Sequence, residues 1–141
     1  MREKTAFDEF DRWFLDLTGR RAARFDPNTD VFFDPEGRKI VVAVEIAGAD
    51  EDSLSVAIDD QAALYITGRR ADRSPSCGSL MQKEIAYGEF AKKLQLPAPI
   101  DIDSASANYL DGILTITLPV SPQAEIPTRR VLRMTVRRAT I

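Results

Sequence analysis

A chain of 141 residues, 44% hydrophobic and 29% charged, is long enough to bury one core and too short for two ordinary domains. It has no histidine and one cysteine, which excludes Ser-His-Asp and Cys-His nucleophiles, His-based or thiolate metal sites and an internal disulfide. The formal net charge of −3 conceals an asymmetry, because beyond Pro119 five arginines (Arg129, Arg130, Arg133, Arg137, Arg138) face one acid, Glu125.

Residues 1–24 read as an N-terminal amphipathic arm. Phe7, Phe10, Trp13, Phe14 and Leu17 fall at spacings of three and four, the period of a helix with one apolar face, and Gly19 is placed to end it. So many large apolar groups on a short helix need cover. Two kinds of cover remain open: the arm's own domain, or an interaction partner. No early segment joins a basic start to a long apolar run and a cleavage site, and no apolar run reaches the roughly 20 residues that span a bilayer. The expectation is a cytoplasmic protein with no membrane partner.

From Phe25 the pattern changes to strands. Thr29 to Phe33 is a short one; Asp34-Pro35-Glu36-Gly37 has turn chemistry; and Lys39 to Ile46 alternates, with Ile40, Val42, Val44 and Ile46 on one face. After a break over Gly48 to Asp52, Leu54, Val56 and Ile58 form a further alternating run. Asp59-Asp60-Gln61 turns the chain, and Leu64 and Ile66 lead a strand that ends at Gly68. Several strands this close together predict a sandwich or barrel.

Arg69 to Lys83 is polar, holds Pro75, Cys77 and Gly78, and has no periodic pattern. A connection of that length is functional or disordered more often than not. A strand opens at Tyr87-Gly88-Glu89-Phe90, runs through Leu94, and closes at Leu96-Pro97. From Ala107 to Pro119 stands a hairpin: Asp-Gly at 111–112 suits a type I′ turn, since both central residues tolerate positive φ, and Leu114, Ile116 and Leu118 alternate after it. The total is about eight strands. The strand before the turn is short and rich in small residues, so Ala105 and Ala107 look like one wall of a shallow groove rather than core.

Little catalytic chemistry is available. Asp101, Asp103 and the acids at 50–52 lie in turns, where acids are expected for local hydrogen bonding. No glycine-rich phosphate loop precedes a helix. The arginine-rich tail has no aromatic residue to stack on bases, so no nucleic-acid partner is expected. The chain is predicted not to be an enzyme and to need neither cofactor nor metal. In the tail, Leu132, Met134 and Val136 share one face by strand periodicity, while Arg133, Thr135 and Arg137 share the other.

From about Thr29 to Pro119 the chain resembles the small heat shock proteins of the α-crystallin/Hsp20 family. Ala107, Gly112, Leu114 and Pro119 are similar to that family's A-x-x-x-x-G-x-L signature and terminal proline. Tyr87-Gly88-Glu89-Phe90 with Leu96-Pro97 matches its Y-G-x-F and L-P elements, and weaker matches fall at Asp30-Val31-Phe32, Glu45-Ile46-Ala47-Gly48 and Leu64 to Arg69.

The resemblance implies an all-β, immunoglobulin-like sandwich over residues 25–119, the α-crystallin domain, with a C-terminal extension at 120–141. It implies a homodimer assembling into larger homo-oligomers, acting as an ATP-independent holdase on non-native client proteins, with ATP-dependent chaperones possible downstream partners. By the same resemblance, Phe7, Phe10, Trp13, Phe14 and Leu17 contact clients or sister subunits. The loop strand at Leu80, Met81, Gln82 and Lys83 pairs with the partner subunit. Leu132, Met134 and Val136 fill a neighbour's groove near Leu54, Val56, Ile58, Ala105 and Ala107; the alternative left open is an unpaired or self-folded tail, with the protein then only a dimer. Two features depart from the family: Ile85 and Lys92 stand where arginine is common, and Ile126-Pro127-Thr128 holds only half of the usual I-x-I motif. A co-chaperone-type adaptor that binds one folded partner is the alternative on the same sandwich.

Overall fold

The computed structural model describes residues 23–59, 61–122 and 131–138. The helix expected over the arm lies outside them, except that its last two residues belong to a strand. Ten strands are described, more than the eight expected: β1 (Ala23–Phe25), β2 (Thr29–Asp34), β3 (Lys39–Glu45), β4 (Ser55–Asp59), β5 (Ala63–Arg70), β6 (Gly88–Gln95), β7 (Ser106–Leu110), β8 (Ile113–Pro119), β9 (Val131–Met134) and β10 (Val136–Arg138). The extra ones are the three-residue β1, too short to show a period, and the tail strands β9 and β10, whose alternation was legible but which lie beyond the domain.

The strands form two five-stranded sheets, in the orders β1-β6-β5-β4-β9 and β10-β7-β8-β3-β2. Their inner faces meet in one core, whose fully buried residues include Ile40, Val42, Val44, Ile58, Leu64, Ile66, Phe90, Leu114, Ile116 and Leu118. These are the residues that alternation selects in β3, β4, β5, β6 and β8, and each buried side chain of this size contributes about 2 kcal/mol. The rule that sorted them is the two-residue period of the strand.

Turn chemistry sets the registers. Asp111 and Gly112 have φ of 53° and 79°, as the two-residue turn between β7 and β8 demands, and the pairing runs from Leu110↔Ile113 to Ser106↔Thr117. Asp59 ends β4 as a buried carboxylate: Oδ1 accepts from the amides of Gln61 and Ala63, each at 2.9 Å, and Oδ2 from the Tyr65 hydroxyl at 3.3 Å. The strand expected to end at Gly68 runs on to Arg70, because β6 continues to pair with it as far as Arg70↔Gly88.

Candidate docking groove and loop

β4 and β7 hold equivalent positions, each the strand of its sheet next to the tail. β9 adds antiparallel to β4, with Val56 opposite Met134, Ile58 opposite Leu132 and Asp59 opposite Val131. β10 adds parallel to β7, with Val136 opposite Ala107 and Arg138 opposite Tyr109. Thr135 alone separates the two tail strands, so the edges of β4 and β7 lie side by side and the tail spans the seam between the sheets.

Met134 and Val136 are half-buried and pack against the core, whereas Thr135 between them is exposed. That is the split strand periodicity assigned to this tail. The structure therefore brings Val56, Ile58 and Ala107 into register with Leu132, Met134 and Val136. Leu54 and Ala105 flank the groove: Leu54 is buried just before β4, and Ala105 is half-buried just before β7. Ala107, expected as groove wall rather than core, is a buried member of the core. Ala107 shares with the buried Tyr109 the face of β7 that alternation turns into the core between the sheets. The acceptor edge in this single chain is its own, and Ile126-Pro127-Thr128 lies outside the described residues.

The long loop between β5 and β6 presents its apolar groups to solvent. Leu80 is 74% and Met81 97% exposed, Ile85 and Gln82 are exposed too, and none of the residues from Leu80 to Lys83 is in a strand of this chain. Its roots, by contrast, are fastened. Arg70 donates through Nε and Nη2 to the Ala86 carbonyl at 2.9 and 2.6 Å and through Nη1 to the Ala47 carbonyl at 3.2 Å, with its guanidinium 4.6 Å from the centre of the Phe25 ring. Asp50 holds Arg69 at 3.1 Å and Arg73 at 3.6 Å. Lys83 reaches back over the Tyr87 ring at 4.9 Å. Within the loop, the hydroxyl and amide of Ser74 hydrogen-bond the Asp72 carboxylate and hold its pKa below the ordinary value, with the charge of Lys83 acting in the same direction. Cys77 is exposed and free. Of the two positions that depart from the family's arginines, Lys92 pairs with Asp26 at 3.3 Å and Ile85 is bare.

Sequence reasoning passed over the outer strand of the second sheet. Val31, Phe32 and Phe33 of β2 are all substantially exposed, and among the described residues no strand flanks β2 on its far side. Three consecutive large apolar residues on a strand must place at least one on each face, and that signal was available.

No three of the described His, Cys, Asp or Glu residues are grouped to hold a metal ion, and no described helix is long and apolar enough to cross a membrane. The family model of the Hsp20/alpha crystallin family matches residues 34–135, from the end of β2 through β9. The chain belongs to this family. Heat shock protein 16 of Schizosaccharomyces pombe is 31% identical over 118 residues, 80% of this chain and 79% of that protein. The 22.7 kDa class IV heat shock protein of Pisum sativum is 31% identical over 85 residues, 60% of this chain but only 42% of that longer one. A small heat-shock protein from Xylella fastidiosa, solved with a distinct high-order structure, superposes with a TM-score of 0.60 at 28% identity, covering 77% of this chain and 96% of that one. Membership in this family of small heat shock proteins supports a stress chaperone role.

Proposed function

We propose that this Hsp20 chain is an ATP-independent holdase, which binds partly unfolded proteins and keeps them from aggregating. The observation that supports it most is the way the tail is held. Both sheets accept an extended segment at adjacent edges, through main-chain pairing at β4 and β7 and apolar side chains at alternate positions. Main-chain pairing is indifferent to sequence, and alternate apolar residues are what an unfolding β-protein exposes, so the groove suits clients of many kinds. The apolar arm, Phe7 to Leu17, supplies further client contacts.

The working unit is a homodimer that builds larger homo-oligomers in the cytoplasm. Leu80 to Lys83 pairs with the partner subunit, and the free edge of β2, with its exposed Val31, Phe32 and Phe33, is the acceptor whose chemistry fits. Dimers associate when the tail leaves its own groove for a neighbour's in the same register, and ATP-dependent chaperones take over the held clients. The test is light scattering of a heat-denaturing protein with and without this one, in the absence of ATP. Suppression at stoichiometric amounts is expected, and none at that ratio rejects the holdase.

A further inference from the structure

Arg70 is the last residue of β5 and pairs with Gly88 at the final rung of the β5–β6 ladder, where the long loop opens. Its guanidinium is engaged on three sides. The edge formed by Nε and Nη2 donates to the Ala86 carbonyl, the corner at Nη1 donates to the Ala47 carbonyl, and one face lies over the Phe25 ring. One side chain thus joins the returning end of the loop, the turn after β3, and β1. Arginine suits this place because a planar fork can meet carbonyls in its own plane and keep a face for a ring. A lysine ammonium, a compact point charge, cannot do both.

The outgoing end of the loop is fastened to the same turn. Arg73 Nη1 donates to the Gly48 carbonyl at 2.8 Å, and Gly48 has a φ of 77° with no side chain in the way: a Cβ there would come within 3.1 Å of that nitrogen. Between the two fastenings Leu80, Met81 and Ile85 stand in solvent. Shortening the free span from 71–87 to 74–85 changes the entropy of loop closure little, since that cost grows only with the logarithm of length. Direction is the larger effect. With both ends held, the segment leaves the sandwich along one path, and a segment already aimed loses less freedom when it binds.

We infer that Arg70 is a positioning residue for dimerisation, which acts within its own chain to aim residues 80–83 at the partner subunit. The inference rests on the reading that these residues pair with a second copy, and adds to it a side chain outside the pairing segment. The exposed ion pairs of Asp50 with Arg69 and Arg73 are weaker fastenings, because water screens them. Phe25 makes β1 part of the same clasp. It lies opposite Phe90 on β6, with the ring centres 5.4 Å apart, so lifting β1 from β6 removes the surface on which the guanidinium rests.

Dilution of the full-length protein in the analytical ultracentrifuge measures dissociation to monomers. Cys77, the only cysteine and exposed within the loop, carries a nitroxide whose line shape reports the loop's mobility in the diluted monomer. Arg70→Lys keeps the charge, yet should raise the concentration of half-dissociation about tenfold and sharpen the nitroxide lines. Arg69→Met, which removes a charge from the neighbouring residue, should change neither. Phe25→Leu should move both in the same direction by a smaller amount, and decides the matter by itself if Arg70→Lys does not fold. A loop as immobile in the variant as in the parent, or a looser loop with unchanged dissociation, overturns the inference and leaves the loop pairing standing. A parent protein that is monomeric at every concentration overturns the loop pairing and the inference together.

Discussion

Thr67 and Asp59 sit on the same outward face of the first sheet, and the structure treats their polar atoms oppositely. The hydroxyl of Thr67 is buried and unpaired, a cost with no return in the folded state. Thr67→Val keeps the shape and removes the unpaired group, so it should stabilise the fold by about 1 kcal/mol, read as a higher urea midpoint with an unchanged slope. Asp59 is buried with both oxygens engaged. Truncation in Asp59→Ala strands the amides of Gln61 and Ala63, and should cost about 2 to 3 kcal/mol in the same experiment. The sequence marked Asp59 as a turn residue, because a side chain that binds amides two and four residues on is a local event. It could not mark the burial of either residue, which depends on what lies over the sheet.

At the scale of elements, the β7–β8 hairpin was the most legible part of the chain. Asp111-Gly112 named its turn and alternation named its buried face. What the sequence did not carry is a long-range constraint at Gly112. A Cβ there would lie 2.9 Å from both Cα and Cβ of Ala47, and the Gly112 carbonyl accepts from the Ile46 amide at 2.9 Å. Gly112→Ala should therefore cost about 2 kcal/mol, more than turn propensity alone explains, and denaturant unfolding measures it. Gly68 is a second such place. It pairs with Phe90, and a Cβ on it would meet that ring, coming within 3.0 Å of Cε1 and Cε2. Phe90 is fully buried and has no room to retreat. Gly68→Ala should destabilise by about 2 kcal/mol, read from the same denaturant unfolding.

For the molecule as a whole, the tail strands decide what is open. Ending the chain after Pro122 removes β9 and β10 and leaves the edges of β4 and β7 unpaired beside Val56, Ile58 and Ala107. If the tail also links dimers, this truncated protein should elute as a dimer in sizing chromatography where the full chain elutes larger; an unchanged size rejects the link. The bare edges should also bind unfolding clients more readily or associate with one another, and light scattering distinguishes the two.

The sequence by itself determined the all-β class, the buried face of most strands, the principal turns and the family, because turn geometry and the two-residue period are properties of neighbouring residues. It also selected Leu132, Met134 and Val136 as one face of a tail strand. Only the tertiary structure decided that this strand crosses the seam at β4 and β7 of its own chain, that Ala107 is core, and that the first sheet is dry on its outer side. Those facts depend on which strands become edges and which surfaces acquire cover, and both arise from contacts between residues far apart along the chain.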